Sequence, residues 1–411
     1  TASFEQVEHE TGIPVYRGPR HAADLTLVLP LIGTETFSRT VPADDFLAAQ
    51  RARTAMQRVE EHERNTVPDF LIRGVKIGGG SRMKVLAEIM DAPRQENIRK
   101  QVEHFFAEGA DIVDLGFGFD ATQGDVRQVF SDLDRIDRPL AADTQDPDLI
   151  RAALVRADLI LSLQEENIPR VGKAIAKAGI AAVIVPGQNS LAKNIAMAKA
   201  AGINCLVADP LIRPAGSGLI ASLKNFTKLR YPCFFGAGNV TELFDADSIG
   251  MNALLAGLAM EVGAAIIFTS ENSDKTTGSV REMRRAAEMM VLAKDRPYPK
   301  DLGIDLLVLK EKRRRREPAL EYHTSRQASS APDEITYDPR GNFRIGIEGD
   351  LIVAVIHGKA VKGRHWQDVL FSLLSEGHVS LLDHAGYLGR ELYKAELAIR
   401  YGRSFEQDGE F

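Results

Sequence analysis

Asp143 and Asp209 each follow a short apolar run, Pro-Leu-Ala-Ala at 139–142 and Cys-Leu-Val-Ala at 205–208, which places both carboxyls at the end of a buried strand. Burial makes a carboxylate costly unless a partner satisfies it, so these two are the first candidates for contact with a ligand. Polar groups follow the other apolar runs as well: Glu88 and Asp91; Asp114 with Gly116 and Gly118; Thr144; Ser162, Gln164 and Asn167; Gln188 and Asn189; Gly236, Gly238 and Asn239; then Thr269, Glu271, Asn272 and Lys275. Carboxylates accept paired N–H groups, and Asn or Gln both donates and accepts. That set suits a polar heterocycle with adjacent donors and acceptors. Any single member reads equally well as the N-cap of a following helix. A polar group after nearly every strand is harder to assign to capping alone.

No histidine lies at such a position and no two have metal-ligand spacing, while Cys205 and Cys233 are the only cysteines. The chain lacks the material for a histidine zinc site or a Ser-His-Asp triad there, and for a disulfide framework anywhere. His104 reads as a helix-face residue.

The elements that must position these groups are legible in the hydrophobic pattern. Strand-like runs occupy 84–90, 111–115, 140–143, 159–163, 182–185, 205–208, 233–235 and 264–268, with amphipathic segments between them, for example 95–108, 147–156, 168–178 and 192–201. Gly109, Gly179, Gly202 and Gly263 fall where helix C-caps are expected. Strand-helix repeats of this number over about 210 residues predict a (β/α)8 TIM barrel rather than a doubly wound sheet. The triplet Gly78-Gly79-Gly80 lacks a dinucleotide fingerprint and reads as a bend into the barrel. In such a barrel chemistry belongs at the C-terminal ends of the strands, where the polar groups lie.

Residues 1–75 read as an N-terminal accessory domain with a charged helical pattern over 44–63, and 76–297 as the barrel. Residues 298–336 read as a basic and polar linker containing the run 310–316, and 337–411 as a small α+β domain with strands near 343–347 and 351–356 and helices over 366–375 and 386–398. With 411 residues, 44% hydrophobic and 26% charged, the chain has globular composition, and a net charge of −6 excludes a wholesale basic surface for nucleic acid. The basic run lacks interleaved aromatics and reads as solvated. The longest apolar stretch, 253–268, carries Glu261 and falls short of a membrane span. A cytoplasmic protein with no membrane partner is expected. The chain opens with Thr1, so further sequence before it is expected.

On these residues the sequence resembles the dihydropteroate synthase-like proteins of the pterin-binding superfamily linked to tetrahydromethanopterin biosynthesis. The resemblance runs from about Gly12 to Phe411. It is carried by Gly-Pro-Arg-His-Ala-Ala-Asp-Leu from Gly18, Gly-Ala-Asp-Ile-Val-Asp-Leu-Gly from Gly109, Pro-Leu-Ala-Ala-Asp-Thr from Pro139, Val-Ala-Asp-Pro from Val207, Phe-Gly-Ala-Gly-Asn from Phe235 and His-Ala-Gly-Tyr-Leu-Gly-Arg-Glu-Leu from His384.

The resemblance implies that Asp143 and Asp209 bind the aminopyrimidinone edge of a pterin. With Asp91 they form the implied catalytic set. Asp114, Ser162, Gln164, Asn167, Gln188, Gly236, Asn239, Glu271 and Lys275 are the implied substrate contacts. It further implies condensation of a dihydropterin-CH2 diphosphate with an arylamine of the ribofuranosylaminobenzene phosphate type, with Mg2+ as an accompanying ion and a homodimer as the assembly.

The sequence departs from the synthases at three places. Their first-strand Asn-Val-Thr-Pro-Asp-Ser-Phe becomes Glu88-Ile-Met-Asp-Ala-Pro-Arg, leaving Asp91 and Arg94 as substitutes. Their seventh-strand Ser-Arg-Lys becomes Gly236-Ala-Gly-Asn, and their eighth-strand Arg-x-His becomes Phe268-Thr-Ser-Glu-Asn. Two cationic anchors are lost; Lys275 is the candidate replacement for one charge, and a basic residue of 17–21 or of the C-terminal unit is the other candidate source. A pterin-dependent methyltransferase, which needs no diphosphate site, and a non-catalytic pterin carrier are the competing readings. His384 and Arg390 are candidates for contact with a second substrate or a partner chain.

Overall fold

The computed structural model describes residues 4–19, 22–39, 41–226, 229–310, 322–329 and 336–409. The chain divides into two compact units, Thr1–Glu317 and Pro318–Phe411.

In the first unit, α1 (Phe4–Thr11) and α2 (Leu25–Val28) precede the long α3 (Ala43–Asn65), which buries Ala55 and Val59. A hairpin of β1 (Phe70–Ile72) and β2 (Val75–Ile77) follows. Gly78, Gly79 and Gly80 all have positive φ and turn the chain into the barrel, as the triplet predicts. At Gly79 a Cβ would stand 1.9 Å from the Val67 carbonyl oxygen, so the close approach admits no side chain.

Eight parallel strands then close on themselves: β3 (Lys84–Ile89), β4 (Ile112–Gly116), β5 (Leu140–Asp143), β6 (Leu159–Leu163), β7 (Ala181–Ile184), β8 (Leu206–Ala208), β9 (Cys233–Phe235) and β10 (Ala264–Ser270). The last strand pairs with both β3 and β9. Around them run α4 (Ile98–Glu108), α5 (Gln123–Asp132), α6 (Pro147–Ala153), α7 (Ile168–Ala178), α8 (Leu191–Ala200), α9 (Leu219–Leu223), α10 (Gly238–Thr241), α11 (Ser248–Glu261) and α12 (Ser279–Ala293). This is the (β/α)8 TIM barrel that the hydrophobic period predicts. Gly109 and Gly179 cap α4 and α7 in the left-handed conformation, because only glycine adopts it without a Cβ penalty.

Strand alternation sorts the core into two layers. Val85, Ala87, Val113, Leu115, Leu140 and Ala142 pack outward against the helices. Leu86, Ile112, Ala141, Leu159, Leu161 and Val207 fill the barrel interior together with Ile72 and Ile77 of the hairpin, which stops the lower end. Below Leu86 on the same face, Lys84 is 2% exposed and pairs with Glu63 of α3 at 3.0 Å. Beside it Arg82 donates to both oxygens of Asp111, at 2.9 and 2.6 Å, and Asp111 also accepts the Val85 N–H. Lys76 docks the hairpin by donating to the carbonyls of Glu63, Arg64 and Thr66 at the end of α3, where a cation is favoured.

The second unit holds an antiparallel sheet of β11 (Arg344–Glu348), β12 (Leu351–Ile356) and β13 (Lys359–Gly363), covered by α13 (Trp366–Ser375) and α14 (Leu382–Tyr401). Ile345, Ile352, Ala354, Val369, Leu373, Leu388, Leu392 and Ala395 form its core. Of the basic run at 310–316 only Lys310 lies among the described residues. The rest of that run, with Arg20 and His21, lies outside them. Among the described residues no helix is long and apolar enough to cross a membrane.

Candidate active site

On four of the strands the inward face is continued one step past its apolar residues by an acidic one. Leu86 is followed by Glu88, Ile112 by Asp114, Ala141 by Asp143 and Val207 by Asp209, so the period of two alone turns four carboxyls into the mouth of the barrel. Glu88 and Asp114 are direct partners in the β3–β4 register, and Asp143 pairs with Gly116 one layer higher. Carboxylate oxygens of Glu88, Asp114 and Asp143 lie within 4.8 Å of one another.

The carboxyls at the mouth are only partly compensated. Asp114 is fully buried, and neither of its oxygens has a hydrogen-bond partner. Burial, with Asp143 and Glu88 adding repulsion, holds its pKa well above the usual carboxylate range. Glu88 is pushed up to about 7 by burial and by the charges of Asp143 and Glu242, against a hydrogen bond from Asn272. Asp143 is raised by burial and partly relieved by Ser162. Asp209 is raised to about 7 by burial, although its Oδ1 accepts the Leu211 N–H at 2.8 Å. Groups of this kind, desolvated and mutually repelling at a barrel mouth, mark functional sites.

Ser162 reaches Asp143 because β6 carries an irregularity between Ile160 and Leu163, where Ser162 adopts φ 61°. Leu163 accordingly joins the outer layer, one step out of phase with Leu159 and Leu161. A β-bulge beside a site re-aims a side chain at the cost of local strain.

Asn167 is 1% exposed and braces the β6–α7 loop, accepting from Gln164 N and donating to the carbonyls of Gln145 and Ser162. Gln164 points its Oε1 toward Gly187, where a Cβ would lie 2.7 Å from it. Gln188 is exposed, and Glu165 holds its backbone N–H with that of Asn189. Asn239 folds its amide over Gly236, 2.8 Å from where a Cβ would stand. Glu271 accepts the Val280 N–H and so tethers the start of α12. Lys275 donates to the carbonyls of Glu242 and Phe244 at 2.9 and 2.7 Å. Asp91, in the left-handed conformation with φ 46°, lines a separate cleft of about 200 Å³ with Arg94, Gly118 and Asp120, in which Arg94 pairs with Asp120. The structure thus brings Glu88, Asp114, Asp143, Ser162 and Asp209 together and sets Asp91, Gln188, Glu271 and Lys275 to other contacts.

Glu242 is the residue that sequence reasoning missed. It follows α10 rather than a strand, and accepts from Ser270, Asn272, Ser273 and Thr276, organising the loop after β10. Burial works to raise its pKa, but these hydrogen bonds outweigh it and hold the carboxyl low. A larger cleft of about 620 Å³, lined by Arg82, Met83, Tyr231, Pro232, Met260 and Lys294, opens at the opposite, N-terminal end of the strands. In the second unit the His384 Nδ1–H donates to the Asp338 carboxylate at 3.0 Å and the ring is stacked on Tyr387, while Arg390 pairs with Glu391.

Parts of the chain are similar to known proteins. A family model described as PterinBD-DUF4346 matches residues 337–408. The chain is similar to the uncharacterized protein MJ0107 of Methanocaldococcus jannaschii, at 33% identity over 445 residues, covering 98% of this chain and 84% of that one. It is also similar to the gamma 1 subunit of the acetyl-CoA decarbonylase/synthase complex of Methanosarcina thermophila, at 22% identity over 57% of this chain, which spans about half (53%) of that subunit. Among solved structures, dihydropteroate synthase of Yersinia pestis with a pterine-sulfa conjugate aligns at TM-score 0.43 and 20% identity, covering 52% of this chain and 94% of the enzyme. The Thermus thermophilus synthase in complex with 6HMPPP aligns at TM-score 0.41 and 22% identity, covering 50% and 92%.

The chain thus joins a closed (β/α)8 barrel with a carboxylate-lined mouth to an α+β unit that matches the PterinBD-DUF4346 family model. The chain belongs to the family of the Methanocaldococcus jannaschii protein.

Proposed function

We propose that the mouth of the barrel binds a reduced pterin and that the chain is a pterin-dependent transferase. In its leading form the reaction joins a dihydropterin-CH2 diphosphate to an arylamine of the ribofuranosylaminobenzene phosphate type, in tetrahydromethanopterin biosynthesis. The observation that carries the reading is Asp209. It is a buried carboxyl at the mouth, with one oxygen on the Leu211 N–H and the other accepting from no described residue. A pterin presents adjacent ring and exocyclic N–H donors, which Asp209 and Asp143 together would accept. Departure of diphosphate breaks the C–O bond and leaves a cationic methylene, the amine nitrogen forms the new C–N bond, and its proton passes to solvent. Carboxylates fixed around the ring would stabilise that positive charge without reorganising. Magnesium, when bound, would neutralise the leaving diphosphate. We carry the homodimer, the cytoplasmic setting and the four-part domain division as components of the same proposal.

Methyl transfer from a methyl-pterin is the second reading, and one observation favours it. Lys275 is committed to the carbonyls after α10 and Arg94 to Asp120, so neither of these two candidate cations is left over for a diphosphate. Calorimetric titration with a dihydropterin and with its 6-hydroxymethyl diphosphate, each with and without Mg2+, separates the two. Tighter, magnesium-dependent binding of the diphosphate supports condensation. Equal binding indifferent to magnesium supports methyl transfer or a carrier role, and binding of neither overturns the pterin reading.

A further inference from the structure

Three carboxylates converge at the mouth on positions fixed by the barrel itself. Glu88 and Asp114 are register partners on adjacent strands, Asp143 stands on the next strand, and one oxygen from each lies within 4.8 Å of the others. Asp114 adds an independent observation. Its side chain is wholly shielded from solvent, it points into this cluster, and both oxygens are without a hydrogen-bond donor. Such an orphaned pair is unfavourable unless something supplies positive charge. The charged groups bearing on the cluster are acidic: Asp143 and Glu242 on Glu88, and Asp143 and Glu88 on Asp114.

We infer that Glu88, Asp114 and Asp143 form a site for a hard divalent cation of the Mg2+, Mn2+ or Ca2+ class. Oxygens bound to one such ion at about 2.1–2.5 Å stand at most about 5 Å apart, which the cluster satisfies. An all-oxygen donor set with no imidazole or thiolate excludes a softer metal on chemistry. One cation takes an oxygen from each carboxylate and neutralises two of the three charges. A proton would serve one carboxyl at a time. The inference goes beyond the pterin reading: Asp209 has no part in the cation site, and the second oxygen of Asp143 remains available to a neighbouring ligand.

The test uses the full chain after chelator treatment, with Mn2+ as probe and the amplitude of the free-ion paramagnetic resonance signal as readout. One Mn2+ is expected to be taken up per chain and to be displaced by Mg2+ or Ca2+. Asp114→Asn and Glu88→Gln should each weaken uptake by about tenfold or more. Asp120→Asn, an acid in the neighbouring cleft, should leave it unchanged. Glu88 is only partly buried, so its variant decides the matter should Asp114→Asn fail to fold. Absence of saturable uptake, or equal affinity in wild type and Glu88→Gln, overturns the site. A parallel pterin titration of wild type and Asp209→Asn keeps the two readings apart. Pterin binding without Mn2+ uptake removes only the cation site, and Mn2+ uptake without pterin binding removes only the pterin reading.

Discussion

Glu88 and Asp114 face each other across β3 and β4 in direct register, two carboxyls side by side inside the barrel, and the charged groups bearing on them are further acids. At the other end of the same strand face lies Lys84, buried and tied to Glu63. A single alternation therefore places a cation at the closed end of the barrel and an anion at the open end, with Leu86 between. The consequences of each end are measurable.

Asp209→Asn trades function for stability. The native carboxyl is held at about 7 against an ordinary 3.8, because burial disfavours its charge. A raised acid costs the fold stability progressively as pH climbs from about 4 to 7, since the unfolded chain ionises and the native one does not. Removing the ionisable group should raise unfolding free energy near pH 7 by roughly 2–4 kcal/mol. Asn retains an oxygen for the Leu211 N–H. Chemical denaturation checks the gain, and calorimetry should find pterin affinity lost.

Lys84 has the opposite signature. Burial first, and Arg82 second, lower its pKa from 10.5 to about 8. The unfolded chain then holds the proton between those values and the native chain does not, so this group makes stability rise as pH increases from about 8 to 10.5. Relative to Lys84→Met, wild type should gain up to about 3 kcal/mol across that interval. Paired urea titrations at pH 8 and 10.5 would detect it, and parallel curves would remove Lys84 as the cause.

Asp111 holds the closed end together by accepting from Arg82, Arg284 and the Val85 N–H. Asp111→Ala leaves the buried Arg82 guanidinium without its anion, while Arg284 keeps Glu288, and should cost about 3–5 kcal/mol. The loss would appear as a lower denaturant midpoint.

Lys275→Ala distinguishes an anchor from a brace. Its contacts are the carbonyls of Glu242 and Phe244, so the variant should lose about 1 kcal/mol of stability and retain wild-type affinity for both the pterin and its diphosphate ester. Selective loss of affinity for the diphosphate would instead make Lys275 a leaving-group contact.

Much of this arrangement was legible in the sequence for one reason: every barrel strand is a short apolar run whose inward phase can be counted. Counting by two from Leu86, Ile112, Ala141 and Val207 reaches the four carboxyls without any structure. The count fails where the backbone leaves the period. Ser162 reaches Asp143 through a bulge in β6, which no pattern in Leu-Ile-Leu-Ser-Leu announces. Glu242 was invisible because its role is set by hydrogen bonds from a loop about thirty residues later in the chain. Two short elements also escaped. The β1–β2 hairpin is made of three-residue strands, and β13 is a largely exposed edge rich in Lys, so neither shows an apolar run. Lys275 falls at the expected place in the chain, yet spacing cannot tell which way a flexible ammonium turns.

The hairpin has a kinetic consequence. With Ile72 and Ile77 filling the lower end, the barrel is a blind-ended vessel rather than a conduit, and everything that reaches the carboxylates enters and leaves by one doorway. A flat ring resting on Asp209 and Asp143 would lie across the floor of that doorway. Any co-substrate would then have to arrive on top of it, so under the condensation reading the ring would enter first and leave only as part of the joined product, after the diphosphate.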